Sequence, residues 1–123
     1  MAVPSLDSVS FIGNLTTETL AASLRGLEVE RWAHEHNVAN IETPGYQARL
    51  VEFRDALKHA IDQGRPLSME ADVSISRAAT RVNGNNVDVT HELTGLAENG
   101  LEQQLIVSAL NAQYQLIRTA IER

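Results

Sequence analysis

An almost unbroken apolar stripe runs through the last third of the chain in alternating steps of four and three. Its positions are Val89, Leu93, Leu96, Gly100, Gln103, Val107, Leu110, Tyr114, Ile117 and Ile121. Such steps keep one seam on one side of an α-helix, so we predict a C-terminal helix over residues 90–123 that Asp88 or Thr90 caps. A second apolar face of this helix comprises Leu101, Leu105, Ala109, Ala112, Leu116 and Ala120. A helix with two apolar faces requires neighbours on two sides.

A similar stripe predicts an N-terminal helix over residues 16–42, with Thr16 or Thr17 as its cap. The stripe positions are Leu20, Leu24, Leu27, Arg31, His34, Val38 and Ile41. The segment Thr43-Pro44-Gly45-Tyr46 ends this helix, because Pro44 disfavours the α conformation of the residue before it and Gly45 accepts the positive φ of a type II turn. Residues 1–15 carry two helix breakers and predict a flexible lead-in.

The middle of the chain, residues 43–89, shows weaker patterns. Helical spacing of Leu50, Phe53, Leu57 and Ile61 predicts a short second helix that Gly64 and Pro66 close. Apolar residues then alternate with polar ones from Met69 to Ile75, which predicts a half-buried strand. The pair Asn83-Gly84 indicates either a small hairpin or a segment that stays mobile until a partner covers it.

Together these elements predict one mainly α domain over residues 16–123. Its long N- and C-terminal helices form a coiled-coil-like hairpin, and a short helix and a small β or irregular segment lie between them. Each exposed Leu or Ile forfeits roughly 1.5–3 kcal/mol of burial, while a whole domain is stable by only about 5–15 kcal/mol. We therefore expect the isolated chain to fray and its seams to bind other molecules, which indicates a structural subunit rather than a catalyst. The expected assembly residues are Leu20, Leu24, Leu27, Val38, Leu93, Leu96, Val107, Leu110, Tyr114, Ile117 and Ile121.

Composition narrows the classes of partner. The 123 residues carry a net charge of −6 and no cysteine, which disfavours nucleic acid as a ligand and removes disulfides and thiolate metal ligands. No apolar run is long enough for a membrane span. The first fifteen residues contain no Lys or Arg and do not resemble a cleavable signal peptide, so export would need a route that reads no such signal.

Candidate chemistry is sparse. His34 and His36 are two residues apart, and on a helix they point away from each other, so one metal ion cannot easily use both. No nucleophile elbow, glycine-rich phosphate loop or carboxylate pair is present, and we predict no catalytic, cofactor or metal site. Asn37 and Asn40 have two open interpretations: they bond last-turn carbonyls or a neighbouring helix, or they simply weaken the helix before its end.

One segment carries a specific family resemblance. Residues 37–46, Asn-Val-Ala-Asn-Ile-Glu-Thr-Pro-Gly-Tyr, resemble the N-A-N-x-x-T-P-G-Y signature of the bacterial flagellar axial proteins, the rod and hook family. The matching positions are Asn37, Ala39, Asn40, Thr43, Pro44, Gly45 and Tyr46. Residues 47–53 are similar to a stretch of one small rod member, and residues 83–101 are similar to the stretch that opens the family's C-terminal helix.

The resemblance implies a structural subunit of the proximal rod of the flagellar basal body, in the periplasm. It implies export through the flagellar type III apparatus without a cleavable signal, and assembly through the terminal helices for motility. The implied partners are copies of the chain, other rod proteins, the basal-body protein FliE and the export apparatus. The alternative from the residues themselves is a soluble helical adaptor or export chaperone that binds one partner helix in a groove.

Overall fold

Two long helices dominate the fold. The computed structural model describes the backbone of residues 6–122 and the side chains of residues 14–122. The elements, in chain order, are α1 (Leu6–Ala39), β1 (Arg49–Glu52), α2 (Arg54–Asp62), a 3₁₀ turn (Pro66–Ser68), β2 (Asp72–Ile75) and α3 (Val89–Glu122). α1 and α3 pack against each other, and the short elements lie in the middle of the chain. The predicted fold class is confirmed.

The first helix begins earlier than its predicted start at Thr16. The irregular conformation expected for residues 6–15 is corrected, because α1 already runs from Leu6. Gly13 does not interrupt it, since one interior glycine costs only about 1 kcal/mol relative to alanine and each added residue gains a helical hydrogen bond. Residues 1–5 of the predicted lead-in lie outside the described residues.

The signature turn follows the end of α1. The helix stops at Ala39, three residues before the predicted end, and the chain then makes turns up to Gly45. The Tyr46 amide donates to the Thr43 carbonyl at 3.3 Å, and Gly45 has a φ of +74°. These are the bond and the dihedral angle of a type II turn with Pro44 at its second position, so the predicted turn is confirmed. The helix has already ended five residues before Pro44, so the proline is not what ends it.

Two short strands replace part of the predicted second helix. Leu50 lies in β1, which pairs antiparallel with β2 so that Leu50 is opposite Ser74 and Val51 is opposite Val73. The expected helix therefore covers only Arg54–Asp62, because strand pairing outweighs the helical spacing of a single leucine. The strand prediction near residues 69–75 holds for β2, although all four of its residues are exposed rather than half-buried.

The hydrophobic core lies where α2 meets α1. Its buried members are Ala22, Leu27, Phe53, Leu57, Ala60 and Met69. The Phe53 ring lies directly on Gly26 of α1, where an added Cβ would come within 2.3 Å of a ring carbon. Gly64, with a φ of +71°, ends α2 as predicted.

The segment Asn83-Gly84 forms a turn but not a hairpin. The Gly84 amide donates to the Arg81 carbonyl at 2.8 Å, and Gly84 has a φ of +82°. β2 pairs with β1 instead of with the residues after this turn, so the hairpin interpretation is wrong. The Gly84 backbone instead packs against the backbone of Gly45.

Asp88 caps the C-terminal helix, as predicted. Its side chain accepts hydrogen bonds from the amides of Thr90 and His91 at 3.1 and 3.2 Å, and α3 begins at Val89. The 34 residues of α3 span about 51 Å at 1.5 Å per residue. Residue pairs such as His34 with Glu92 and Leu27 with Asn99 show that α3 runs antiparallel to α1.

Candidate assembly surface and signature cluster

Asn37 is the centre of the signature segment. It is fully buried, and its side-chain amide bonds both backbone groups of Arg49: the Oδ1 atom accepts from the Arg49 amide at 2.8 Å, and the Nδ2 atom donates to the Arg49 carbonyl at 3.0 Å. The Tyr46 hydroxyl also donates to Oδ1, at 2.7 Å. One side chain therefore holds the end of α1, the signature turn and the start of β1 together.

Asn85 joins the signature turn to the segment before α3. It is also fully buried, and its Nδ2 atom donates to the carbonyls of Asn40 and Thr43 at 2.8 and 2.9 Å. Its Oδ1 atom accepts from the Val87 amide at 2.8 Å and from the Arg81 guanidinium at 2.9 Å. The two stretches that resemble the flagellar family, near residues 37–46 and 83–88, are thus bonded to each other.

Asn86 extends the two-stranded sheet. Its Oδ1 atom accepts from the Ala48 amide at 2.7 Å, and its Nδ2 atom donates to the Ser76 carbonyl at 3.1 Å. Ala48 and Ser76 also share one direct hydrogen bond, in which the Ser76 amide donates to the Ala48 carbonyl at 2.7 Å. The asparagine amide completes the ladder with the same donor and acceptor pattern as a peptide group.

Asn40 and the turn residues occupy the rim of this cluster. The Asn40 amide donates to the His36 carbonyl at 2.8 Å and its oxygen accepts from the Thr43 hydroxyl at 3.1 Å. The Gly45 amide donates to the Asn83 carbonyl at 2.8 Å. The hydrogen-bonding interpretation of the two asparagines is therefore the correct one, although their partners lie within the chain. Ala39, Thr43 and Pro44 are exposed.

Sequence reasoning missed Asn85, Asn86 and Arg81. The available signal was the run of three asparagines around Gly84, which indicated only a turn. Their partners lie up to 45 positions away, and no local pattern predicts such a contact. Among the described residues, every buried side-chain nitrogen and oxygen has a partner, so the cluster has no unpaired group left over for a ligand.

An aromatic stack borders the cluster on the outer side of α1. The Trp32 and His36 rings are stacked with their centroids 5.2 Å apart, and the Tyr46 ring lies 5.8 Å from His36 on a tilt. The Arg49 guanidinium lies over the Tyr46 ring at 5.6 Å. Burial raises the pKa of Tyr46 above its ordinary value, so its hydroxyl keeps the proton that it donates to Asn37.

The face of α3 that contacts α1 is polar. Glu92 is 2% exposed, and its Oε2 atom lies 2.6 Å from the Nδ1 atom of His34. One turn further, the His34 ring packs on Gly95, where an added Cβ would come within 2.5 Å of it. Asn99 is fully buried and donates to the Leu27 carbonyl at 2.8 Å.

An ion network links the helices to α2. Arg54 pairs with Glu30 of α1 at 2.8 Å and with Glu102 of α3 at 2.9 Å. Burial raises the pKa of the Glu30 carboxyl, but hydrogen bonds from Arg54 and Asn99 outweigh this effect and hold that pKa below its ordinary value of 4.5. The same hydrogen bond with Glu30 raises the pKa of Arg54. Glu30 is therefore ionised and paired near neutral pH.

The predicted seam of α3 lies beside this polar face and is largely open. Its exposed members are Leu93, Val107, Tyr114, Ile117 and Ile121, and Ile121 is 78% exposed, whereas Leu96 and Leu110 are half-buried. On α1, Leu20, Leu24 and Val38 are half-buried, and Leu27 lies in the chain's own core. The second apolar face is open too, with Leu101, Leu105 and Leu116 between 61% and 67% exposed.

Neither a membrane span nor a metal site is found among the described residues. No helix among residues 6–122 combines the length and apolar character that a bilayer span needs. Within the same part of the chain, no group of three or more histidine, aspartate or glutamate side chains is arranged to hold a metal ion.

Curated proteins similar to this chain share one name, flagellar basal body rod protein FlgB. The protein from Bacillus subtilis is 28% identical over 119 residues, which cover 86% of this chain and 92% of that protein. The protein from Escherichia coli is 34% identical over 98 residues, or 63% of this chain and 71% of that protein. The protein from Proteus mirabilis is 30% identical in an alignment of 125 positions, which covers 84% of this chain and 89% of that protein. This chain belongs to the FlgB family of flagellar basal body rod proteins.

The family membership confirms the resemblance read from residues 37–46 and narrows it from the axial proteins in general to FlgB. No protein-family model matches the chain. The FlgB relatives match over most of their own length, so the likeness extends well beyond the short signature.

Proposed function

We propose that this chain is a structural subunit of the proximal flagellar rod that assembles through the apolar faces of its two long helices. The observation that carries the proposal is that α3 contacts α1 through a face that is polar over residues 92–99, while most large apolar side chains on its other faces stay exposed among the residues that the structure describes. The shared name of the relatives identifies the flagellar basal body rod as the assembly to which such a subunit would belong. Copies of the chain and other rod proteins are the proposed neighbours.

The exposed area supports contacts between chains. Leu105 and Leu116 lie on one open face and Tyr114 and Ile121 on the other, and each is more than half exposed. Burying a large apolar side chain contributes about 1.5–3 kcal/mol, so four such residues offer roughly 6–12 kcal/mol before the cost of association. This gain is of the same order as the cost of association, about 4–15 kcal/mol, so the other exposed apolar side chains of α3 have to contribute as well.

The same exposed apolar faces are compatible with a subunit that is exported before it assembles. With little apolar burial along its C-terminal half, α3 depends on neighbours for its stability. We propose that the terminal helices become firmly folded only on assembly, after export through the flagellar apparatus without a cleavable signal peptide. FliE and the export apparatus are the further proposed partners, and the family resemblance supports both.

Replacement of Leu105 by glutamate tests the assembly surface. Leu105 is 63% exposed, so Leu105→Glu should leave the fold and the circular dichroism spectrum unchanged, while it abolishes sedimenting assemblies and motility in a strain that lacks the native gene. Gln104→Glu places the same charge on the neighbouring exposed position and should assemble normally. Normal motility of the Leu105→Glu strain would contradict the proposal, and a discrete soluble dimer of the native protein would favour the adaptor interpretation instead.

Hydrogen exchange tests the order of folding and assembly. In dilute monomer, amides of residues 107–122 should exchange much faster than those of residues 22–37, which pack on the core. After assembly both sets should be protected. Firm protection of the α3 end in the dilute monomer would exclude ordering on assembly.

A further inference from the structure

A shallow apolar groove lies between α2 and α3. Its volume is about 260 Å³, and its apolar lining consists of Leu27, Phe53, Leu57, Ile61 and Ile106. Lys58 and Asp62 stand one turn apart on its α2 side, and both are exposed. Arg54 and Glu102 also line the groove but pair with each other at 2.9 Å. The groove therefore has an apolar floor, and Lys58 and Asp62 are the basic and acidic groups on its α2 rim.

The end of α3 has a matching pattern. Tyr114, Ile117 and Ile121 recur at steps of three and four, and they are 58%, 45% and 78% exposed. Arg118 and Glu122 flank them one turn apart, with 3.5 Å between the Arg118 Nε atom and a Glu122 carboxyl oxygen. We call residues 114–122 the tail. It presents an apolar ridge with one basic and one acidic group beside it.

We infer that the tail of one copy docks in the groove of the next copy, antiparallel to α2. On both helices the charged pair lies about 100° around the axis from the apolar residues. In an antiparallel pair these flanks fall on the same side of the contact. Lys58 then lies opposite Glu122, and Asp62 lies opposite Arg118, so both charge pairs are complementary. In a parallel arrangement the two charged pairs would lie on opposite sides of the contact.

The occupant has to be a second molecule. Glu102 and Ile106 of α3 line the groove, and the tail belongs to the same continuous helix. A straight helix cannot fold back on itself, so the tail cannot fill the groove of its own chain. Because groove and tail are different surfaces, the contact is heterologous and continues from copy to copy without closing as a dimer. This inference rests on the proposed function and names the surfaces that such an assembly uses.

Site-specific crosslinking tests the contact, because the native chain contains no cysteine. Full-length Lys58→Cys and Glu122→Cys proteins are mixed and oxidised. Crosslinks between the two variants should exceed those between Lys58→Cys and Thr119→Cys by at least about fivefold, since a disulfide needs Cα atoms within about 7 Å. Thr119 is an exposed tail residue on the side opposite the ridge, which makes it a matched control.

Charge reversal gives a second, independent measurement. Lys58→Glu and Glu122→Lys should each weaken self-association by about fivefold, as expected when an exposed ion pair becomes repulsive. The doubly substituted chain carries the same ion pair with its charges exchanged, so it should regain native association.

The possible results separate the two proposals. Native assembly together with no excess of the 58–122 crosslink, or crosslinks only between two tails, overturns the groove contact and leaves the proposed function standing. Failure of the doubly substituted chain to regain association also overturns the groove contact. An absence of assembly in the native protein, even with other rod proteins present, overturns the proposed function itself.

Discussion

Replacing Asn37 by alanine should destabilise the fold more than any other change to the signature segment. The substitution removes three hydrogen bonds at once: two to the backbone of Arg49 and one from the Tyr46 hydroxyl. It leaves the amide and carbonyl of Arg49 without a partner in a site where Asn37 is fully buried. No other side chain among the described residues bonds these backbone groups.

The expected magnitude follows from these bonds. Two backbone groups left without partners cost about 1.5 kcal/mol each, and the lost tyrosine bond costs about 0.5–1 kcal/mol because that side chain is only half-buried. Alanine returns up to about 0.7 kcal/mol through its higher helix propensity. The net loss is roughly 3 kcal/mol in the free energy of unfolding, a large fraction of the stability of a small domain.

Urea denaturation followed by fluorescence measures this loss directly. The only tryptophan, Trp32, stacks on His36 close to the cluster and reports its unfolding. Tyr46→Phe is the matched control, since it removes only the bond to Asn37 and should cost about 1 kcal/mol. If Asn37→Ala costs less than Tyr46→Phe, the asparagine does not hold the cluster together and the reasoning fails.

Three further predictions concern packing, turn geometry and pH. Gly95→Ala should lower the free energy of unfolding by about 2 kcal/mol, because the new Cβ displaces the His34 ring. Gly100 has open space around it, so Gly100→Ala should raise the free energy of unfolding by up to about 1 kcal/mol. Equal effects of the two substitutions in thermal melts would contradict this prediction. Gly84→Ala should cost about 1–2 kcal/mol through its positive φ, and an unchanged urea midpoint would count against the turn. Because the pKa of Glu30 is lowered by folding, its contribution is present above pH 4.5 and is lost as the pH falls through the lower folded-state value. Glu30→Gln should therefore flatten the acid side of the stability profile, and an unchanged profile would show that other carboxyls control it.

The long helices and the turn between them were predictable because their signals are local. Pro44 and Gly45 act on their own backbone, Asp88 caps the helix that begins beside it, and a periodic stripe identifies α3 from its own residues. The sequence predicts the start of α1 too late because Gly13 counts as a helix breaker in a local pattern, although a single glycine does not end a helix that is already nucleated.

The strand at Leu50 and the asparagine cluster were not predictable in this way. Leu50 matches a helical spacing by coincidence, and only its pairing with Ser74 makes the segment a strand. Asn99 does not break the apolar periodicity of α3, yet its side chain donates to the Leu27 carbonyl, 72 positions away. Contacts of this range depend on how the helices cross, and the periodicity of one helix does not contain that information.

The polar contacts between α1 and α3 have a consequence for the geometry of an array. An apolar seam alone tolerates sliding by a heptad, because one leucine replaces another at little cost. The His34–Glu92 pair and the bond from Asn99 to the Leu27 carbonyl allow only one axial alignment. If the helices slid past each other, these buried polar groups would lose their partners. The stretch of α3 around residues 92–99 therefore has a fixed height relative to α1, and the leucines that follow on the same helix take their heights from it once the helix has formed.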